Sequence, residues 1–212
     1  MAAKEVVKSG VADTDEAPMR QRILEAAFSA FMERGFAETS TLEIATRAKA
    51  SKRELYAQFG SKQDILAACI AARARRLRLP SDLPAPRDRE TLAQALTAFG
   101  ANLLKEISDP AVIGVFRLAI AEAVRAPDVA KALNDVGVAA SRTALRDLIT
   151  RARAAGVIGG EPAQMAEHFA GLLWGNQMMG LLLGVADRPN QREIARRAEA
   201  ATAAFLRVYP PP

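Results

Sequence analysis

Side chains that commonly hold metals or act as nucleophiles are scarce in this 212-residue sequence, which has one cysteine, Cys69, and one histidine, His168. A single cysteine excludes an intramolecular disulfide and fits a reducing compartment. A zinc site or a histidine-based acid–base pair needs partners that the sequence lacks. Phosphate-binding glycine loops, G-x-S-x-G and H-E-x-x-H are also absent. We therefore expect that the protein is not an enzyme and binds no metal or cofactor. Cys69 is expected to be buried, and His168 to lie on the surface or to be partly packed.

Aromatic residues make up 5% of the chain, β-branched residues are sparse, and the alternating pattern of strands is absent. Ala and Leu dominate, and they lose little on entering a helix. The sequence therefore predicts an all-α fold of about nine helices. The net charge of +5 suits nucleic acid but is too small to decide the matter.

Long uninterrupted hydrophobic runs are missing too. The stretch Phe169 to Ala186 approaches the length of a membrane span, but Asn176 and Gln177 interrupt it. It is predicted to be a buried helix. Residues 1–17 lack a secretory signal and are expected to form a mobile arm. We therefore expect a cytoplasmic protein without a membrane-spanning segment.

Cap signals divide the rest of the chain. Pro18 opens a first helix that ends at Gly35. Three Ser-x-x-acid motifs then predict helices beginning near Thr41, Lys52 and Lys62; they are Ser40-x-x-Glu43, Ser51-x-x-Glu54 and Ser61-x-x-Asp64. The Pro-rich stretch 80–86 marks a junction. We expect a DNA-binding domain at 18–62 and a larger ligand-binding and dimerisation domain at 63–212.

The second and third of these helices are short, and a tight turn joins them. Leu55 and Phe59 anchor the third helix, while Lys52, Arg53, Tyr56 and Gln58 remain on its outer side. This pattern is typical of a helix-turn-helix whose second helix enters the major groove of DNA. In the capping box, Glu54 is expected to cap the helix rather than accept a hydrogen bond from cytosine.

The segment "TLEIATRAKASKRELYAQFGSKQDIL", Thr41 to Leu66, resembles the DNA-binding module of the tetracycline-repressor-like (TetR) transcriptional regulators. "RLAIAEAVRAPDVA", Arg117 to Ala130, is similar to the C-terminal domain of the AefR-like subgroup. The resemblance implies a three-helix DNA-binding domain, a helical regulatory domain and a homodimer. It also implies DNA-contacting roles for Ser40, Thr41, Ser51, Lys52, Arg53, Tyr56, Gln58 and Lys62.

Within that set, Ser40, Thr41, Tyr56 and Lys62 match positions that contact phosphate. Gln58 could read adenine. The usual turn glycine is Lys49 here, which costs up to about 1 kcal/mol if the left-handed conformation persists. Ala57 and Gln58 replace the aromatic or histidine pair of the family, so no base preference carries over.

The regulatory region carries a set of apolar residues that could enclose a ligand: Leu96, Phe99, Leu103, Phe116, Ile120, Trp174 and Met178. Asn102, Asn176 and Gln177 are the candidate polar anchors. Alternatively, the apolar side chains fill one another's space and leave no cavity. The last two helices, from Pro162 to Gly184 and from Asn190 to Val208, are expected to pair with their copies.

The leading interpretation is a homodimeric DNA-binding regulator that acts as a repressor. It binds a palindromic double-stranded operator, and a small apolar effector releases it. The alternative is an all-helical ligand-binding protein or enzyme with an incidental helix-turn-helix. The pattern does not separate repressor from activator.

Overall fold

The computed structural model describes residues 13–74, 86–124 and 127–212. They divide into two units, with the boundary between Cys69 and Ile70. All regular secondary structure in these ranges is helical, as the composition predicted. Most of the predicted arm and most of the Pro-rich junction lie outside the described residues.

Four helices begin the chain: α1 Asp13–Glu38, α2 Thr41–Ala48, α3 Lys52–Gln58 and α4 Lys62–Ala74. The last three begin where the cap motifs predicted. The first begins earlier than expected, so that Pro18 lies inside α1 rather than in its first turn.

Gly35 interrupts the end of α1. Its backbone has φ 81 and ψ 168, a conformation that side chains with a Cβ rarely adopt. The first helix was predicted to end at Gly35, but it kinks there and runs on to Glu38. The kink places the Phe36 ring 5.5 Å from that of Phe31. Both rings are buried in the first unit, as is Cys69, whose thiol lies 3.4 Å from the carbonyl of Leu24.

The second unit contains the remaining helices: α5 Arg89–Ile107, α6 Pro110–Glu122, α7 Pro127–Leu133, α8 Ala139–Ala154, α9 Pro162–Trp174, α10 Gln177–Leu183 and α11 Gln191–Val208. A π-helical turn at Asn134–Val138 joins α7 to α8. The two therefore form one continuous rod, which gives ten separate helices in the described residues against about nine expected.

The core of the second unit is built around α5, α9 and α11. Phe99 and Phe205 both meet the Phe169 ring, with centroid separations of 6.4 and 5.5 Å. Gly100 lets α5 approach α9 closely, since a Cβ there would lie 3.0 Å from a methyl carbon of Leu173. These contacts bury three aromatic side chains from three separate helices in one cluster.

The predicted single helix from Pro162 to Gly184 is wrong, because it breaks after Trp174. Gly175 has φ 45 and ψ −131, which only glycine adopts without strain. Arg197 of α11 spans the break, donating to the carbonyl of Trp174 at 3.2 Å and to the side-chain oxygen of Gln177 at 3.3 Å. Over the ranges that the structure covers, every helix is too short or too polar to cross a bilayer.

The C-terminal segment is bonded to the body of the second unit. Arg89, at the start of α5, donates to the carbonyls of Leu206 and Tyr209. The amide of Gly159 donates to the carbonyl of Pro210 at 2.9 Å. The Tyr209 hydroxyl also forms a hydrogen bond with Nδ1 of His168, which is exposed on α9.

Candidate nucleic-acid interface and internal cavity

Helix α3 is fixed by a complete capping box and two apolar anchors. The Ser51 hydroxyl accepts a hydrogen bond from the Glu54 amide at 3.1 Å, and the Glu54 carboxylate accepts one from the Ser51 amide at 2.6 Å. This backbone hydrogen bond is the main cause of a lowered pKa of Glu54. Leu55 and Phe59 are buried beneath the helix. Glu54 therefore serves as the cap, as predicted.

The outer side of α3 is polar and accessible. Ser51, Lys52 and Arg53 are exposed, 47% of Tyr56 is exposed, and Gln58 is half-buried. Within the described part of the chain, Lys52, Arg53 and Gln58 form no hydrogen bond or ion pair. Their donors are thus available to a partner molecule. Lys52 and Arg53 lie at the N-terminal end of the helix, where a recognition helix contacts base edges, and Gln58 is its last residue.

The turn between α2 and α3 depends on Lys49. It adopts the left-handed conformation, with φ 52 and ψ 45, and is the only non-glycine residue with positive φ in the described ranges. Its amide donates to the carbonyl of Thr46 at 3.2 Å, which ends α2. The left-handed conformation expected at this position is therefore present without its usual glycine.

Helix α2 presents its N-terminus beside α3. Ser40 caps it by accepting a hydrogen bond from the Glu43 amide at 3.1 Å. The hydroxyl of Thr41, the first residue of α2, lies 3.2 Å from that of Tyr56. The two hydroxyls thus bring one phosphate-contact candidate from each helix into direct contact.

An ionic cluster holds α2 against α1. The Arg47 guanidinium lies 2.8 Å from the carboxylate of Glu33 and 2.7 Å from that of Glu43. Arg34 adds a second contact to Glu43 at 3.4 Å. Glu43 therefore completes no capping box with Ser40, in contrast to the prediction. The hydrogen bond from Arg47 is the main reason that the pKa of Glu33 is lowered to about 2.

Lys62 is engaged within the first unit. Its ammonium group donates to the carbonyls of Phe36, Ala37 and Thr39 at 2.8, 3.2 and 3.0 Å. It also lies 4.5 Å from the centre of the Phe36 ring. A lysine has three N–H donors, and all three have partners here. The predicted phosphate contact of Lys62 stays a prediction, and the structure adds a structural role that sequence reasoning missed.

A cavity of about 390 Å³ lies within the second unit. Four of the seven predicted ligand-contacting residues line it, namely Phe99, Leu103, Phe116 and Trp174. The other lining residues are Ile70, Arg73, Ile107, Val112, Val115, Leu133, Val138, Ser141, Arg142, Leu145, Ala166, Glu167 and Ala170. The alternative that these side chains leave no space therefore does not apply.

The candidate set is corrected at three positions. Leu96 is fully buried in the helical core, Ile120 is 60% exposed, and Met178 packs against the core from outside the cavity. The predicted anchors Asn102, Asn176 and Gln177 do not line it either. Leu133 and Val138 were missed. Leu133 precedes the π-helical turn and Val138 is its last residue, and such turns are often found at functional sites.

The described residues contain no group of three or more His, Cys, Asp or Glu side chains arranged to hold a metal ion. The same residues present a polar helix face in the first unit and a mostly apolar cavity in the second.

Comparison with known proteins relates both units to bacterial regulators. Residues 23–69 match the model of the bacterial regulatory proteins of the tetR family. Residues 94–211, more than half of the chain, match that of the AefR-like transcriptional repressor C-terminal domain. Among proteins with curated functions, none matches the chain in sequence.

Solved structures agree with these matches. The flavonoid-responsive regulator FrrA is 30% identical, with a TM-score of 0.78 over 92% of this chain and 98% of its own. A TetR-family regulator from Mesorhizobium loti is 26% identical, with a TM-score of 0.77 over 93% and 100%. One from Agrobacterium tumefaciens is 27% identical, with a TM-score of 0.77 over 91% and 94%. With both units matched and the helix-turn-helix in place, the chain belongs to the TetR family of transcriptional regulators and carries a C-terminal domain of the AefR-like type.

Proposed function

We propose that the protein is a homodimeric repressor that binds a palindromic operator through α2 and α3 and leaves it when a small apolar molecule fills the cavity. The proposal that the protein binds DNA rests mainly on one observation. Lys52 and Arg53 lie exposed at the start of α3 without partners in the described residues, while Leu55 and Phe59 hold the helix to the first unit.

The contacts with DNA divide into two kinds. Ser40, Thr41 and Tyr56 present hydroxyls suited to phosphate, which fixes position without reading sequence. Arg53 and Gln58 carry the donor patterns that recognise guanine and adenine in the major groove. Ser51 and Lys52 begin the helix that enters the groove. Lys62 contributes either by contacting phosphate or by holding the end of α1 in place.

The proposal that the protein forms a homodimer is supported by the surfaces of α9, α10 and α11. A shallow surface groove between them is lined by Leu172, Ala200 and Ala204, among others. Leu172 is 42% exposed, and small residues on α11 allow a partner helix to approach closely. The two segments expected to pair with their copies also carry apolar residues that are instead buried in the second unit's own core: Phe169, Leu173, Ile194, Ala198 and Phe205.

Effector release follows from linkage. A ligand that prefers a dimer with wrongly spaced recognition helices weakens operator binding by the ratio of its affinities for the two states. The cavity supplies a site for such a ligand, and its apolar walls favour a hydrophobic or weakly polar molecule over a sugar or nucleotide. The name of the similar regulator FrrA states that it responds to flavonoids, which supports an organic effector here.

Operator binding is tested with purified protein and DNA flanking its own gene, by fluorescence anisotropy and footprinting. We expect saturable, salt-dependent binding to a palindrome with half-sites about 34–36 Å apart, and much weaker binding to a scrambled duplex. Equal affinity for both duplexes would contradict a sequence-specific regulator.

The dimer is tested by light scattering at micromolar concentration. We expect twice the chain mass for the native protein, and dissociation after Ala200→Arg places a charge in the groove. Ala195→Arg, also exposed on α11 but outside the groove, is the control. A monomeric native protein would overturn the proposal.

The effector site is tested by a thermal-shift screen of apolar aromatic and fatty compounds beside sugars and nucleotides. We expect stabilisation by an apolar compound, with release of DNA, and loss of both effects in Trp174→Ala. Met178→Ala is the control, because Met178 packs against the same core without lining the cavity. Stabilisation by the polar set alone would contradict the apolar assignment.

A further inference from the structure

The charged residues of the cavity wall are unevenly distributed. Of the seventeen lining residues in the described part of the chain, four are polar or charged: Arg73, Ser141, Arg142 and Glu167. Two are cations and one is an anion, and the remaining thirteen are apolar. Arg142 and Glu167 line the cavity and are also exposed to solvent, so they lie at its opening.

Arg142 is the charged residue best placed to meet a ligand. It lies on α8 directly after Ser141 and one turn before Leu145, both of which line the same wall. Within the described residues it forms no hydrogen bond or ion pair. Its guanidinium therefore keeps its donors for solvent or for a bound molecule, and its aliphatic stem can extend the apolar wall.

We propose that the effector is an apolar organic anion whose body fills the cavity and whose carboxylate, or an equivalent acidic group, pairs with Arg142 at the opening. This inference rests on the proposed effector site and specifies its ligand class. A guanidinium forms paired hydrogen bonds with a carboxylate, a geometry that a neutral hydroxyl cannot match.

The sign of the charge follows from the lining residues. Among the lining residues that the structure describes, the cations Arg73 and Arg142 outnumber the anion Glu167. An anionic head gains from the Arg142 guanidinium at the opening, whereas a cationic head would be repelled by it. A neutral molecule would bury its apolar body equally well but would form no ion pair with the arginines.

The position of the head follows from burial. Taking a charged group deep into an apolar cavity is costly unless it is paired, and the other lining residues that the structure describes carry no charge. At the opening, the carboxylate keeps part of its hydration and meets Arg142. The volume equals that of about thirteen water molecules, which suits a body of roughly ten to fifteen non-hydrogen atoms.

The experiment compares three linear molecules that each contain ten carbon atoms and differ in the head group: decanoate, decanol and decylamine. Binding to the full-length protein is measured by titration calorimetry below micelle-forming concentrations. We expect decanoate to bind about three- to ten-fold more tightly than decanol, the effect of one partly solvated ion pair with good geometry. Decylamine should bind most weakly.

Variants then assign the effect to the opening. Arg142→Gln should bring decanoate to the affinity of decanol and leave decanol unchanged. Arg146→Gln is the matched control, since Arg146 lies one turn further along α8, is exposed and does not line the cavity. Glu167→Gln should tighten decanoate binding, because it removes the negative charge at the opening.

The possible outcomes are distinct. Equal binding of decanoate and decanol, or equal loss in Arg142→Gln and Arg146→Gln, would overturn the anionic class while leaving an apolar effector site. Tighter binding of decylamine would reverse the predicted charge. No binding of any of the three, together with no hit in the apolar thermal-shift screen, would remove the effector site itself.

Discussion

The hydroxyl oxygens of Thr41 and Tyr56 lie 3.2 Å apart, although fifteen positions separate the two residues in sequence. Thr41 begins α2, and Tyr56 lies on the outer side of α3. The contact fixes the two helices relative to each other and presents two hydroxyls on one surface. A phosphate oxygen placed there could accept a hydrogen bond from the hydroxyl that does not donate to the other.

Tyr56→Phe should therefore weaken operator binding by about 1.5–3 kcal/mol, the usual contribution of a hydrogen bond to a charged group. The loss should be similar for all operator variants, because phosphate carries no sequence information. Anisotropy titrations over a panel of single-base variants measure this. Tyr209→Phe, the other tyrosine, is the control, and a loss confined to one variant would contradict a phosphate contact.

Arg53→Ala should behave differently. If Arg53 reads a guanine, its loss should relax preference at one position of each half-site, by about 1–3 kcal/mol. The same operator panel measures the change. Arg192→Ala, an exposed arginine on α11, is the control for loss of one positive charge. Uniform weakening across the panel would instead assign Arg53 to phosphate.

Lys62→Ala should destabilise the first unit, because three backbone carbonyls lose their donor. We expect the free energy of unfolding to fall by about 1–3 kcal/mol. Urea unfolding measures this, with Gln63→Ala, the exposed neighbour, as control. An unchanged midpoint combined with uniformly weaker DNA binding would show that phosphate contact is its main role.

Lys49→Gly should raise the free energy of unfolding by up to about 1 kcal/mol, since glycine adopts φ 52 without the Cβ penalty. Lys49→Ala removes the same side chain but keeps the Cβ, so it should give no gain. Urea unfolding of the two variants separates backbone strain from loss of charge. Equal stability of both would argue against strain at this turn.

Glu33 should make the first unit sensitive to acid. Arg47 lowers the Glu33 pKa from its ordinary 4.5 to about 2, so the charged form is favoured in the folded state. This stabilisation is fully present above about pH 4.5 and is lost as the pH falls towards 2. Glu33→Gln should therefore flatten the fall in stability across that window, and Glu38→Gln should not. Thermal unfolding from pH 2 to 6 measures both.

Local capping signals allowed much of the first unit to be predicted, because each depends on residues three positions apart. The box at Ser51 and Glu54 is complete. At Ser40 the acid is drawn away by Arg47 and Arg34, which both lie outside the four-residue motif. Competition from side chains outside the motif is invisible to it. The same holds for Lys62, whose partners lie more than twenty positions away.

The cavity was harder to predict, for a related reason. Helix α6 is apolar on most of its faces, so its sequence does not indicate which side turns inward. Phe116 lines the cavity, whereas Ile120, one turn further on, is exposed. The break at Gly175 was missed because a glycine in an apolar run fits helix packing as well as helix termination. The arginines of the cavity wall have no sequence signature, since they acquire their setting only from the fold.

The bonds made by the C-terminal segment have a practical consequence for work with this protein. Residues 209–212 follow the last helix and would ordinarily be regarded as a dispensable tail suitable for trimming or tagging. Here the carbonyls of Tyr209 and Pro210 receive hydrogen bonds from Arg89 and Gly159, so the final residues tie the last helix to the first helix of the second unit. Deleting them would leave the Arg89 guanidinium with one fewer acceptor and loosen the α5–α11 pair. Affinity tags and reporter fusions therefore belong after Pro212 on a spacer, with residues 209–212 kept intact.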